Sequence, residues 1–271
     1  MQTISEIRAL LAARGLRPKH RLGQNFLHDK NQITRLVDAA GLRAGDLVLE
    51  VGPGTGTLTE ALLDAGAEVV ACELDDDMAD LVEDRLGTRL TLVRGDCLDR
   101  GRTLAPAVVD ALDGRPFRLV ANLPYQAASP LIAGLLVDGH PCLGQYVTIQ
   151  KEVADRLAAA PGTKDYGTLT VIVQVFASVH RIGVLPPSCF WPAPKVTSAM
   201  IAIEPGPAAD IEDPHAFARF VAMLFSRRRK QLGGRFDRAA TWPDGISPEQ
   251  RPETLTPDRL VALWRCFGHE P

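Results

Sequence analysis

The sequence predicts an α/β fold, a mostly parallel sheet wrapped by helices and followed by a small helical domain. Three observations predict it. From about residue 31 to 150 the apolar residues alternate between helical and strand periods. The strand-like runs are short and mostly apolar, as strands buried on both faces are. The segment EPGPAADIEDP at 204–214, rich in Pro, Gly and acid, separates this region from a final amphipathic helix. The expected domains are residues 1–205, an α/β domain with a basic N-terminal segment, and residues 206–271, a small helical domain. A chain of 271 residues is long enough for both to bury a core.

The elements follow in chain order. MQTISEIRALLAARGLRPKH is amphipathic and lacks the uninterrupted apolar core and cleavage site of a secretory signal. Ile33, Leu36, Val37 and Ala40 recur at helical spacing, so Asn31 to Ala40 reads as a helix stopped by Gly41. Leu47 to Val51 is a continuous apolar strand. Further strands are expected at Glu68 to Cys72, Arg89 to Val93, Phe117 to Ala121 and Tyr146 to Ile149, separated by helices such as Asp75 to Leu86 and Ser129 to Val137. Lys151 to Ala160 is helix-like. Two long apolar segments, Thr168 to Val179 and Ser198 to Ile203, have no clear helix between them and are expected to pair antiparallel at one sheet edge. Phe217, Phe220, Val221, Leu224 and Phe225 mark a last helix, expected to run directly into Arg227 to Lys230, where basic residues suit its dipole.

Hydrophobic residues make up 46% of the chain and charged ones 23%, the balance of a soluble globular enzyme. No apolar run approaches the roughly 20 residues of a membrane span. A cytoplasmic, monomeric protein is expected. Five widely spaced cysteines with no CxxC pair point to reduced, buried thiols, with neither a metal nor a redox centre. The net charge of −3 conceals strong segregation. Residues 1–30 carry six bases against two acids and residues 219–238 seven against one, while Glu73 to Asp84 holds seven acids and no base. The two basic segments are suited to a polyphosphate, although a solvated charged surface explains either one alone.

Three motifs converge on chemistry. EVGPGTGTLTE, 50–60, ends the first strand and opens a helix: Gly52, Gly54 and Gly56 can adopt positive φ and leave bare backbone for a ligand, and Thr57 can start the helix with free amides. A dinucleotide fingerprint would place a third glycine at 57. Glu73, ending the second strand, suits two ribose hydroxyls in either reading. Asp96, after the third, could accept from an adenine amine or cap a helix. Asn122, Leu123, Pro124 and Tyr125 follow the fourth strand. The amine of adenine is a poor nucleophile because its lone pair is delocalised into the ring. The Asn122 amide oxygen and the Leu123 carbonyl, held by the fixed φ of Pro124, can each accept one of its N–H groups, and Tyr125 can stack on the base. A simple β-turn explains that tetrapeptide equally well.

These motifs, together with GQNFL at 23–27, Lys151-Glu152, Tyr166-Gly167, PPSCFWPAPKVTSA from Pro186 and FSRRRK at 225–230, strongly resemble the ribosomal RNA adenine N6-dimethyltransferases, specifically the small-subunit type. The resemblance covers Arg14 to Phe267. It implies a Rossmann-like, S-adenosylmethionine-dependent methyltransferase domain with a seven-stranded sheet. The implied reaction dimethylates two adjacent adenines near the 3′ end of small-subunit rRNA during ribosome biogenesis, leaving S-adenosylhomocysteine. The implied partners are ribosomal RNA and the small subunit or its precursor. The resemblance implies that Asn25 and Leu27 close over the cofactor, Gly52 and Gly54 line its methionine and ribose portion, Glu73 and Asp96 bind ribose and adenine, and Asn122 borders both ligands. Phe190 would stack on the target base opposite Tyr125. Arg17, Lys19, Arg21, Arg227, Arg228, Arg229 and Lys230 would contact RNA.

Two departures stand out: Gln126-Ala127-Ala128-Ser129 replaces the common Asn-Ile-Ser-Thr, and Gly233-Gly234 interrupts the basic helix. The rival readings are a large-subunit rRNA adenine methyltransferase of the antibiotic-resistance type, a non-catalytic assembly or transcription factor on the same fold, and a nicotinamide dehydrogenase.

Overall fold

In the computed structural model, which describes residues 1–206 and 211–268, a capping box of Thr3 and Glu6 starts α1 (Ile4–Ala13). A short strand, β1 (Phe26–Leu27), precedes α2 (Lys30–Ala40), which is capped by Asp29 and closed by Gly41 at φ 57°. Five strand–helix repeats then build the sheet: β2 (Leu47–Val51), α3 (Thr57–Asp64), β3 (Glu68–Glu73), α4 (Asp76–Leu86), β4 (Thr91–Arg94), α5 (Pro106–Leu112), β5 (Phe117–Asn122), α6 (Tyr125–Val137), β6 (Cys142–Gln150) and α7 (Lys151–Leu157). The remaining elements are α8 (Thr168–Phe176), β7 (Ala177–Leu185), β8 (Phe190–Trp191), β9 (Ser198–Pro205), α9 (Pro214–Phe225) and α10 (Pro257–Phe267).

The seven-stranded sheet has the order β4-β3-β2-β5-β6-β9-β7. β2 is buried at all five positions between its parallel neighbours β3 and β5, which is why four of its five residues are aliphatic, Glu50 being the exception. Reversal of order at β2 opens a crevice at the carboxyl ends of β2 and β5, the place where an open α/β sheet binds ligands. β9 runs antiparallel to both β6 and β7, closing the sheet. An antiparallel edge is expected from the sequence, but its first partner differs from the expectation. Thr168–Phe176 is helix, and the strand begins only at Ala177. The β-branched composition of TLTVIVQVF favours a strand locally. Packing overrides it, because Val171 and Ile172 join one core and Val173 another, which the faces of a helix allow.

Other boundaries shift as well. β4 starts at Thr91, because 87–89 form a 3-10 turn, and α6 starts at Tyr125, well before Ser129. α7 stops at Leu157. α9 ends at Phe225 with Ser226 as its cap, so Arg227 to Lys230 form a turn beyond the helix and do not extend it. In the expected linker, residues 207–210 lie outside the described residues. The C-terminal helices bury Phe217, Phe220, Trp264 and Phe267 in a core shared with Tyr166, Val171 and Ile172. No helix among the described residues is long and apolar enough to cross a membrane.

Candidate active site

The crevice holds a cavity of about 280 Å³. Its floor is the glycine loop between β2 and α3. Gly52, Gly54 and Gly56 have φ of 73°, 58° and 80°, a region that residues with a Cβ rarely enter. Space forbids side chains too: a Cβ on Gly54 would lie 2.8 Å from the Phe26 ring, and one on Gly52 3.2 Å from Pro124. Glu73, at the end of β3, accepts from the Gly54 amide (3.0 Å) through one carboxylate oxygen and from the Asp75 amide (2.9 Å) through the other. Each oxygen keeps a further lone pair for a ligand. Burial raises the Glu73 carboxyl above the usual carboxylate range. Asp96 follows β4 and accepts from the Leu98 amide (3.0 Å) in a turn, so it caps no helix.

Glu50, missed in the sequence reading, also lines the cavity. It is 1% exposed, one of its oxygens (Oε2) has no hydrogen-bond partner, and burial pushes its carboxyl up to about 8. A charge inside the apolar run LVLEV was the available signal. Cys72 and Cys97 stand in the same wall, and burial pushes both thiols up to about 12, far from thiolate reactivity.

The second wall is the turn from β5 into α6. Asn122 Nδ2 donates to the Asn25 carbonyl (3.0 Å), which fixes the amide and leaves its oxygen available. The Leu123 amide donates to the Thr148 carbonyl (3.0 Å), and Pro124 caps α6 so that Tyr125 is its first residue. Tyr125 is half-buried, and burial raises its phenol. Pro130 inside α6 lacks the N–H that would bond the Gln126 carbonyl; Arg102, at φ 67°, donates to that carbonyl instead (3.3 Å). Arg102 is a further cavity residue that the sequence did not single out, and Gln24 lines the cavity from within GQNFL.

A two-stranded bridge roofs the cavity. β1 and β8 pair antiparallel, Leu27 opposite Phe190 and Phe26 opposite Trp191. Asn25, Leu27, Gly52, Gly54, Glu73, Asp96, Asn122, Leu123, Pro124, Tyr125 and Phe190 all line this one cavity.

The basic residues divide. Arg17 and Arg21 are exposed, Arg21 at the cavity rim. Lys19 is paired with Asp75 (2.5 Å) and Asp77 (2.6 Å), holding the N-terminal segment to the start of α4. Arg227, Arg229 and Lys230 line a second cavity, of about 520 Å³, together with Arg235, Arg238 and Arg251. Arg228 turns away from it, donating to the Lys164 (2.9 Å) and Tyr166 (3.0 Å) carbonyls and pairing with Glu253 (3.4 Å). The double glycine folds the chain back: Gly233 donates to the Pro248 carbonyl (2.8 Å) so closely that a Cβ would lie 2.8 Å from Arg238 and from Pro248. Arg235 and Arg238 thereby return to the cluster. Nothing in the sequence placed Arg251 there.

A family described as ribosomal RNA adenine dimethylase matches residues 15–253. The chain is 39% identical to "Ribosomal RNA small subunit methyltransferase A" of Bifidobacterium adolescentis, over 97% of this chain and 93% of that protein. It is also 39% identical to the protein of the same name from Mycobacterium bovis, over 97% and 87%. Among solved structures, a dimethyladenosine transferase from Plasmodium falciparum superposes with a TM-score of 0.74 at 26% identity, covering 89% of this chain and 97% of that one. The 23S rRNA methyltransferase ErmE shares the fold, with a TM-score of 0.63 at 24% identity over 90% and 99%.

Proposed function

The chain belongs to the ribosomal RNA adenine dimethylase family, and from that premise we propose that it methylates the exocyclic amine of two adjacent adenines, twice each, near the 3′ end of small-subunit rRNA during ribosome assembly. The observation that carries this reading is the convergence, in one cavity, of a glycine loop and the acidic side chains of Glu50, Glu73 and Asp96 with the Asn122–Tyr125 turn and Phe190.

The residues present fit S-adenosyl-L-methionine. The buried, unpartnered Glu50 oxygen suits a cationic ligand, the bare backbone at Gly52 and Gly54 leaves room beside it, and Glu73 and Asp96 supply acceptors for ribose hydroxyls and an adenine amine. When bound, this donor supplies an electrophilic methyl group. The protein's own residues do the rest. Asn122 Oδ1 and the Leu123 carbonyl would accept the N–H groups of the target amine, two before the first transfer and one before the second, and draw its nitrogen out of conjugation; each transfer replaces one N–H bond by an N–CH3 bond and releases that proton. Tyr125 and Phe190 hold the extruded base between their rings, at about 1–3 kcal/mol per stacking face. Leu27 and Asn25 shield the cavity from water. Rate then comes from positioning and desolvation.

RNA backbone is gripped by Arg21 at the rim, by exposed Arg17 and, at the helical C-terminal domain of residues 206–271, by the cluster of Arg227, Arg229, Lys230, Arg235, Arg238 and Arg251. Lys19 and Arg228 serve the fold. In that cluster only Arg238 has an acidic partner among the described residues, Glu249 at 3.3 Å. So many uncompensated cations in one cleft favour polyanion binding.

The test is methyl transfer from labelled S-adenosylmethionine to undermethylated small subunits, with large subunits in parallel and nucleoside analysis of the product. Dimethyladenosine in the small subunit alone is expected. Label confined to the large subunit would transfer the activity to the resistance-type reaction.

A further inference from the structure

The glycine loop is pinned on its cavity side by Glu73, but its other side is held by two residues remote from the cavity. The Thr55 carbonyl, between Gly54 and Gly56, accepts from Gln2 Nε2 (2.8 Å) and from the Arg85 guanidinium of α4. Arg85 also pairs with Glu60 on α3, so one side chain ties the loop to the helix that the loop starts. It packs so tightly that a Cβ on Gly56 would lie 3.2 Å from its Nη1. Gln2 is 4% exposed and its amide oxygen has no partner. Burying an amide with half of its capacity unmet is costly, and among the described residues its side chain is compensated by the bond to Thr55. Gln2 directly precedes the Thr3 cap of α1, whose Ile7 and Leu11 pack on Met78 and Leu81 of α4 and on Phe26, the ring that closes over Gly54.

We infer that Gln2 and Arg85 are positioning residues for the cofactor loop, setting affinity for the methyl donor through the Thr55 carbonyl without touching the donor. A loop with three glycines has wide conformational freedom when unrestrained, and ligand binding has to remove whatever freedom remains. Two donors on one carbonyl remove it in advance. The inference rests on the reading of Gly52–Gly56 as the donor-binding loop.

The experiment measures S-adenosylmethionine affinity by calorimetry, together with KM for each substrate and kcat on undermethylated small subunits. The proteins compared are the wild type, Gln2→Met, Arg85→Met, Arg85→Lys, the double variant Gln2→Met/Arg85→Met, and Arg94→Met. Arg94 pairs with Asp80 and Glu83 on the exposed side of α4 and so controls for a general loosening of that helix. Arg85→Met is expected to raise Kd and KM for the donor about tenfold, the scale of one hydrogen bond from a charged donor, with kcat at saturation and KM for the subunit unchanged. Arg85→Lys should recover part of the affinity. Gln2→Met should act in the same direction more weakly, and the double variant should depart from additivity because the two side chains share one acceptor. Arg94→Met should lower Tm alone. Unchanged donor affinity in both Gln2→Met and Arg85→Met would overturn the inference, as would an equal loss in Arg94→Met. A wild-type protein that fails to bind the donor would instead overturn the reading of the loop itself.

Discussion

Glu50→Gln keeps the shape of a buried side chain and removes its ability to ionise. The folded protein holds the Glu50 carboxyl at about 8, pushed up chiefly by burial with a contribution from nearby Glu73, against an ordinary value of 4.5. Between those values the folded state keeps a proton that the unfolded chain has released. The stability linked to that proton is therefore complete below about pH 4.5 and is lost as pH rises through 8. Full loss corresponds to about 5 kcal/mol at 1.36 kcal/mol per pH unit. Glutamine has no such dependence. The variant should thus be more stable than the wild type at pH 9 by several kcal/mol more than at pH 5. Urea unfolding of both proteins at pH 5, 7 and 9 reads this as a difference that widens with pH, in which titrating groups that do not interact with Glu50 cancel, Glu73 being the coupled one.

The same substitution should damage function while it helps the fold. The unpartnered Glu50 oxygen in the cavity wall can stabilise a cation only as a carboxylate, so binding of the positively charged donor near pH 6.5 should release a proton. Calorimetry in two buffers of different ionisation enthalpy measures that proton directly. Glu50→Gln should release none and bind more weakly. Parallel stability profiles in the two proteins, together with a donor affinity unaffected by the substitution, would refute the assignment of Glu50 as a strained carboxyl kept for a cationic ligand.

Asn122→Ala should lower kcat at least a hundredfold, the usual cost of losing one positioned hydrogen-bonding group at a reacting centre, while donor affinity measured by calorimetry stays largely unchanged. Gly54→Ala should cost about 1–3 kcal/mol of stability in a thermal melt and weaken donor binding, because the new Cβ meets the Phe26 ring at 2.8 Å on a backbone at φ 58°. Arg229→Ala or Arg251→Ala should each reduce the salt dependence of RNA binding by about one in the logarithmic slope. Arg228→Ala should leave that slope alone and lower Tm, since its guanidinium is spent on the Lys164 and Tyr166 carbonyls.

The sheet was legible because burial on both faces leaves a plain mark: Leu47–Val51 and Phe117–Ala121 are mostly apolar runs, each with one charge, too short for a helix and followed by turn residues. α8 was not legible, because Val, Ile and Thr signal a strand until the two cores on either side are known. The cavity residues belonging to motifs were readable, since a glycine turn, a terminal carboxylate and an Asn-Leu-Pro-Tyr turn lie at successive strand ends that the topology brings together. Residues whose role depends on distant partners were not. Lys19 and Arg228 look like RNA contacts in a list of charges, and only the fold shows the acids and carbonyls that occupy them. Arg251 looks isolated until the chain folds back at Gly233.

The same dependence on distant partners explains why the two halves of the cavity form one unit. The Asn122 amide is oriented by the Asn25 carbonyl, so its oxygen faces the cavity only when the N-terminal segment is in place. That segment continues directly into β1, whose Leu27 lies opposite Phe190 in β8. It is anchored in turn at Lys19 and Gln24, both bonded to Asp75, which caps α4 and whose amide binds Glu73. An unbroken chain of contacts thus runs from the carboxylate at one end of the cavity, through the N-terminal segment, to the amide and the aromatic ring at the other. A perturbation that detaches residues 19–27 would therefore disorder the Asn122 amide and the Phe190 ring together with the Glu73 side of the cavity, even though every residue of the β5–α6 turn remained intact.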